Sequence, residues 1–133
     1  MTIFVDSNVP MYLMGAEHPH KLDARRLVER HLVGGDRLVT DAEVFQEIVH
    51  RYAASGRRGA IQPMFDTLYA MVSDVLPIEI AHVERAKELV LGIPRLSSRD
   101  ALHVAVMEAA AIQQVLSFDA DYDAVPGLTR IFR

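Results

Sequence analysis

The chain has 133 residues, of which 50% are hydrophobic and 24% charged, so its composition is that of a globular domain rather than a disordered segment. It contains no cysteine, which excludes disulfides, thiolate zinc sites and cysteine nucleophiles. Fourteen Lys and Arg against eighteen Asp and Glu give a net charge of −4, which argues against binding a nucleic acid through bulk charge.

The hydropathy pattern predicts neither a membrane helix nor a secretion signal. No apolar run approaches the roughly 18 residues of a membrane helix, and the first residues lack the basic stretch of a signal peptide. We therefore expect a soluble, cytoplasmic protein with a single domain over residues 1–133.

Short β-rich runs alternate with longer helical patterns along the first half of the chain. The first run is continuously apolar, as in a strand buried on both faces. Thr40 and Glu43 have the spacing of a capping box, in which Thr40 is the N-cap and Glu43 the third helical residue. In chain order we predict a strand at 2–5, a helix at 22–33, a strand at 37–40 and a helix from the capping box to about residue 54.

The second half of the chain continues the same alternation. We predict a helix at 60–72, a strand at 75–78, a helix at 82–91, a helix from Ser97 or Ser98 to about 113, and strands at 115–118 and 128–132. Strands that alternate with helices indicate a mostly parallel sheet covered on both faces. The predicted fold class is a three-layer α/β domain with a central sheet flanked by helices.

Three Asp residues occupy positions from which they could share one edge of this sheet. Asp6 and Asp119 each stand where a predicted buried strand ends, and ligands of open parallel sheets bind at the carboxyl ends of the strands. Asp100 lies in the first turn of an otherwise apolar helix. From spacing alone, Asp100 either completes a capping box with Ser97 or joins the other two carboxylates.

A fourth candidate carboxylate lies on the helix that opens at the capping box. Glu43 and Glu47 are four residues apart, and like charges at that spacing are mildly destabilising unless a cation lies nearby. Arg51, four residues further on, or a metal ion would supply that cation. Glu43 already has a structural role in the capping box, so Glu47 is the stronger functional candidate.

Four converging carboxylates need a counter-charge to remain ionised together. Oxygen ligands without cysteine or paired histidines favour Mg²⁺ or Mn²⁺ over Zn²⁺. Such ions support the hydrolysis of phosphodiesters by an activated water. If a metal neutralises these four acids, fourteen acids remain against fourteen cations, and the surface no longer repels a polyanion as a whole.

Four segments of the sequence together resemble PIN-domain ribonucleases of the VapC toxin type. The segments are 3–8 (IFVDSN), 39–52 (VTDAEVFQEIVHRY), 99–103 (RDALH) and 116–122 (LSFDADY), and the similarity extends over essentially the whole chain. The resemblance implies a Rossmann-like parallel sheet with helices on both faces, in agreement with the alternation of elements.

The resemblance also implies roles for particular residues and partners. It makes an acidic quartet both catalytic and metal-binding, with Mg²⁺ or Mn²⁺ as the cofactor: Asp6, Glu47, Asp100 and Asp119. It implies Asp121 as an auxiliary acid, while Asn8 either hydrogen-bonds within the site or forms a turn. The implied partners are an RNA substrate, a cognate antitoxin and a second copy of the chain.

Several sequence features are open to two interpretations. His50 and His103 are candidate general acids, although a single histidine on an apolar helix more often packs. The pair Arg57-Arg58 either contacts an RNA backbone or faces solvent. The apolar segment 11–14 either faces a partner or belongs to the core, and we favour the core.

The main alternative function is a non-catalytic or regulatory binding module on a doubly wound α/β fold, in which the acids are structural caps. A receiver-type phosphoacceptor domain needs a late lysine after a strand, and neither Lys21 nor Lys87 follows a predicted strand. The residues themselves do not distinguish RNA from DNA, because both phosphodiesters suit the same metal cluster.

Overall fold

The structure is a computed structural model that describes residues 1–15 and 18–133. Its centre is a parallel sheet in the order β3-β2-β1-β4-β5, and each of the four strand pairs is parallel. Within the described residues the strands are β1 (Thr2–Val5), β2 (Arg37–Asp41), β3 (Asp74–Leu76), β4 (Gln114–Leu116) and β5 (Thr129–Ile131).

α-Helices connect the strands up to β4. In the described part of the chain they are α1 (Asn8–Met14), α2 (Pro19–Val33), α3 (Ala42–Ala54), α4 (Ile61–Met71), α5 (Ile80–Gly92) and α6 (Ser98–Ala109). Two 3-10 turns, Arg58–Ala60 and Ala120–Ala124, precede α4 and β5. Right-handed crossovers place the helices before β3 on one face of the sheet and the α5–α6 pair on the other, and α1 with α4, α3 with α4 and α5 with α6 are in contact.

The predicted three-layer α/β architecture is confirmed, and every predicted strand is present with its ends shifted by at most two residues. Helix α1 was not predicted, because seven residues with a proline in the first turn give too short a pattern to detect. It carries the apolar segment 11–14, of which Met11, Tyr12 and Leu13 pack against the core while Met14 is 46% exposed.

The predicted capping box at Thr40 and Glu43 is wrong. Asp41 is the N-cap of α3, and its Oδ1 accepts a hydrogen bond from the Val44 N–H at 3.0 Å. The Thr40 hydroxyl instead donates to the Val5 carbonyl at 2.8 Å and ties β2 to β1. The helix therefore begins one residue later than predicted, which removes Glu43 from a capping role.

The centre of the sheet is fully buried. Ile3, Phe4 and Val5 of β1 have no exposed surface, as expected for a strand covered on both faces. Chain order reverses between β1 and β4, where the Asp6 N–H donates to the Leu116 carbonyl at 3.1 Å. In such sheets this switch point opens a crevice at the carboxyl ends of the strands. In the described residues, no helix is both long and apolar enough to cross a membrane.

Candidate active site

The crevice at the switch point is lined by polar residues that end the central strands. Asp6 follows β1, Asp41 ends β2, and Ser117 follows β4. All three are buried, with at most 3% of their surface exposed. Buried polar side chains of this kind require hydrogen-bond partners, and each of them has one.

Asp6 is held by donors from the two segments that follow β1 and β4. Its Oδ1 accepts from the Ser7 N–H at 2.8 Å, and its Oδ2 accepts from the Ser117 hydroxyl at 2.7 Å. The Asn8 amide donates to Ser117 Oγ at 3.2 Å, and its Oδ1 accepts from the Phe118 N–H at 3.3 Å. Asn8 therefore lies within the site, where it joins α1 to the segment after β4.

Glu47 enters the crevice from the second turn of α3 and is fixed at both oxygens. Its Oε2 accepts from the Ser7 hydroxyl at 2.8 Å, and its Oε1 lies 2.6 Å from His103 Nε2. Ser7 is the N-cap position of α1 but makes no capping hydrogen bond with its side chain, because the hydroxyl is directed to Glu47. Burial raises the pKa of Glu47, but the hydrogen bonds from His103 and Ser7 outweigh it and hold this pKa below its ordinary value.

His103 is fully buried on α6 and bridges two carboxylates. Its Nδ1 lies 2.8 Å from Asp41 Oδ2 and its Nε2 lies 2.6 Å from Glu47 Oε1. Burial alone would lower the pKa of this imidazole, but the hydrogen bonds to Asp41 and Glu47 raise it well above its ordinary value. A protonated imidazole donates from both nitrogens, so His103 is the internal counter-charge of this side of the site.

Asp100 and Asp119 form the other side. Burial raises the pKa of Asp100 to about 8, helped by a hydrogen bond with the Asp119 side chain and by the negative charge of Asp6. The buried Tyr122 hydroxyl donates to Asp100 Oδ1 at 3.1 Å. At neutral pH, therefore, the Asp100 carboxyl keeps its proton.

The geometry can hold a cation between the two sides. Ligand atoms of Asp6, Asp100 and His103 all lie within 4.8 Å of one another. Both nitrogens of His103 are already engaged by carboxylates, however, and an imidazolium has no lone pair to offer. The carboxylates are therefore the ligands available to a metal, with His103 as their neighbour rather than as a ligand.

The structure thus brings Asp6, Glu47, Asp100 and Asp119 into one crevice, and Asn8 lies among them. The carboxylate of Asp121 is not part of this cluster: its Oδ1 accepts from Arg95 at 3.0 Å at the surface, and only its N–H donates to Asp119 Oδ1.

Two sequence expectations about Glu47 and Asp100 are also corrected. His103 and Ser7 partner Glu47, whereas Arg51 forms no ion pair with it in the described part of the chain. Ser97 caps α6 by accepting from the Asp100 N–H at 3.2 Å, but the Asp100 carboxylate is directed to Tyr122 rather than back to Ser97.

Sequence reasoning missed or undervalued four polar residues of the site. Asp41 ends an apolar strand just as Asp6 follows one, so the same strand-end argument applies to it. His103 is three residues after Asp100 and therefore on the same face of α6. Ser7 and Ser117 carry no signal of their own, because hydroxyls are common at strand ends and caps.

Known proteins are similar to this chain in sequence and in fold. The model of the PIN domain family matches residues 3–128. Ribonuclease VapC13 of Mycobacterium tuberculosis is 58% identical over 129 residues, which cover 97% of this chain and 98% of that protein. The similarity therefore extends over both chains almost from end to end.

Two solved structures have the same fold at low identity. Mycobacterium tuberculosis VapC20, described as a sarcin–ricin loop cleaving toxin, matches with a TM-score of 0.75 at 23% identity, covering 92% of this chain and 93% of that one. A chain of VapBC2 from Rickettsia felis, bound to a DNA fragment from its promoter, matches with a TM-score of 0.76 at 12% identity, covering 98% of both. The carboxylate crevice and these similarities agree, and the chain belongs to the PIN-domain family, among its VapC ribonucleases.

Proposed function

We propose that the chain is the ribonuclease toxin of a toxin–antitoxin pair and that it hydrolyses RNA phosphodiester bonds, as a single PIN domain, with Mg²⁺ or Mn²⁺. The observation that carries the proposal is the pair of buried carboxylates Asp6 and Asp100. Their ligand atoms lie within 4.8 Å of each other, and neither has a Lys or Arg partner in the described residues. The extensive identity with VapC13 supports RNA as the substrate.

The donor set fits a hard divalent cation. Carboxylate oxygens are the ligands that Mg²⁺ and Mn²⁺ prefer, and the chain has no cysteine to favour a softer metal. Burial, together with Asp119 and Asp6, raises the pKa of Asp100 to about 8, and no Lys or Arg pairs with this carboxylate in the described residues. When bound, the metal would stabilise the developing charge on the phosphodiester and activate a water for attack.

The chain's own residues would prepare the site for that chemistry. Asp6 and Asp100 would be the principal ligands, with Asp100 in its deprotonated, carboxylate form. Glu47 and Asp119 complete the ligand set or orient the attacking water. The Ser117 and Ser7 hydroxyls fix Asp6 and Glu47 in position, so that little reorganisation is needed during the reaction.

The test is cleavage of a mixed, structured RNA by protein purified without its antitoxin, in Mg²⁺, in Mn²⁺ and in EDTA. Asp6→Asn and Glu47→Gln are assayed beside Asp123→Asn, a control acid that is ion-paired to Arg130 at the surface. We expect metal-dependent cleavage by the native chain and the control, and loss of cleavage in both site variants. No cleavage together with no metal-induced rise in Tm would contradict the proposal and favour a binding module.

We also infer a cytoplasmic location, a homodimer and a cognate antitoxin that holds the enzyme inactive. The existence of VapBC2 as a complex supports the antitoxin. Exposed apolar side chains on α5, including Ile80 and Leu91, provide surface for a protein contact. Light scattering of the chain alone and with a candidate antitoxin tests both partners, and a monomer in both samples would contradict the inference.

A further inference from the structure

A shallow groove leads away from the carboxylate crevice along α3. His50, Arg51 and Ala54 follow Glu47 at three, four and seven residues, which places them on the same side of the helix. With Ser55 and Arg99 they line a cavity of about 350 Å³. We call this cavity and its lining the α3 groove.

The two arginines of the groove are not engaged by the protein. Arg51 and Arg99 are exposed, and within residues 1–15 and 18–133 neither forms an ion pair or a side-chain hydrogen bond. Some other surface arginines are instead paired with acids, as Arg85 is with Glu88 and Glu108. The groove therefore presents cationic groups that are free to bind an external anion.

The positive charge of the α3 groove also acts on the carboxylates of the site. The positive charge of Arg99 acts to lower the pKa of both Glu47 and Glu43, so the guanidinium lies within reach of the carboxylates. A chain with a net charge of −4 cannot hold a polyanion through its overall charge. Cations placed beside the reacting centre are then needed to offset repulsion between the acidic site and a phosphate strand.

Beyond Ser55 the cationic surface continues. The Arg57 guanidinium lies 4.7 Å from the centre of the Tyr52 ring, and its Nε donates to Ser55 Oγ at 3.2 Å. A guanidinium held in this way loses less entropy when it binds a phosphate. Arg58 follows directly in the chain and is exposed.

We propose that the α3 groove binds the phosphate backbone of the RNA strand beside the scissile bond, with Arg51 and Arg99 as its positioning residues. The inference rests on the proposed function and adds to it the path of the substrate. Guanidinium groups bind phosphate in a bidentate manner and carry no base specificity, so the groove fixes the register of the strand rather than its sequence.

Steady-state cleavage separates positioning from chemistry. We expect Arg51→Gln and Arg99→Gln each to raise KM about tenfold with little change in kcat. The double variant should also reduce the salt dependence of binding by about one and a half units of slope in log Kd against log salt. The matched control is Arg26→Gln, an exposed arginine on α2 that also has no ion pair in the described residues. A fall in kcat with unchanged KM would overturn the inference, as would a double variant that behaves like the control.

Binding without cleavage keeps the two proposals distinguishable. Fluorescence anisotropy of a labelled single-stranded RNA in EDTA reports on the groove whether or not the chain cleaves that RNA. Binding by the native chain that falls about a hundredfold in the double variant, but not in Arg26→Gln, supports the groove. Equal binding by all three, or none by the native chain, contradicts it. Absence of cleavage with groove-dependent binding contradicts the nuclease proposal alone. An unchanged Tm in Mn²⁺ confirms that the variants keep their fold and metal site.

Discussion

Acids on the surface of this protein and acids in its crevice are neutralised in different ways. At the surface, Glu108 and Asp123 are each held by an arginine at 2.8–2.9 Å, in pairs that are partly exposed to solvent. In the crevice, the cation in the described residues is the His103 imidazolium, which is hydrogen-bonded to two carboxylates and lies 3.9 Å from Asp6.

This difference is local, since arginine is plentiful in the chain. In the part of the chain that the structure describes, no arginine or lysine forms an ion pair with Asp6, Glu47 or Asp100, and Asp100 retains a proton instead. A protein that only needed to stabilise these acids would pair them as it pairs Glu108. The shortage of positive charge in the crevice leaves its carboxylates available to an external cation.

Among the substitutions that test this difference, Asp100→Asn should have the largest effect. The amide keeps the shape of the side chain but removes a carboxylate ligand, and we expect cleavage to fall on the order of a thousandfold, equivalent to about 4 kcal/mol of transition-state stabilisation. The metal-induced rise in Tm should disappear as well. RNA cleavage and thermal melting with and without Mn²⁺ measure both, and Asp123→Asn should change neither.

Removal of the internal cation should have the next largest effect. His103→Gln leaves Asp41 and Glu47 buried without a positive partner, so we expect the free energy of unfolding to fall by about 3 kcal/mol. Urea denaturation measures it. Exposed His50→Gln is the matched control, with an expected change within about 0.5 kcal/mol. Equal stability of the two variants would show that His103 is not the counter-charge.

The pH dependence of the free energy of unfolding tests the side of the crevice that contains Asp100. Above about pH 4 an unfolded Asp100 is ionised, whereas the folded chain keeps this proton until its pKa of about 8. The folded state therefore binds more protons in this window, and the metal-free protein should lose stability as pH rises from 5 to 8, on the order of 1 kcal/mol per unit.

The raised pKa of His103 acts in the same direction above its ordinary value. Urea titrations in EDTA at several pH values give the slope. Because an asparagine amide does not ionise in this range, Asp100→Asn should flatten the slope. A slope unchanged in that variant would contradict the assignment of the proton to Asp100.

Removal of a surface ion pair should change the free energy of unfolding least. Arg85→Gln removes contacts to Glu88 and Glu108, but all three side chains are at least 43% exposed, and screening by solvent limits the expected loss to about 0.5 kcal/mol. A loss as large as that of His103→Gln would remove the distinction between surface and crevice. The same denaturation experiment, run at two salt concentrations, measures it.

Strand ends and the alternation of elements were sufficient to predict the fold and the positions of Asp6 and Asp119, whereas the preference for Glu47 over Glu43 depended on a capping box that the structure does not contain. Those signals are local, because a buried strand must be apolar and its end must turn. The pairing of His103 with Asp41 was out of reach, because the two residues are 62 positions apart and nothing in the sequence specifies which carboxylate meets the ring. The position of α3's cap was missed for a similar reason, since Thr40 and Asp41 are both good N-caps and the contact of Thr40 with Val5 decides between them.

Asp41 has a consequence for how the enzyme comes into being. One of its oxygens starts α3 and the other receives His103 from α6, so a single carboxylate joins an early helix to a late one. A nascent chain that has emerged only as far as α5 has Asp6 and Glu47 but lacks Asp100, Asp119 and His103. The carboxylate site is therefore complete only after nearly the whole chain has been synthesised and folded.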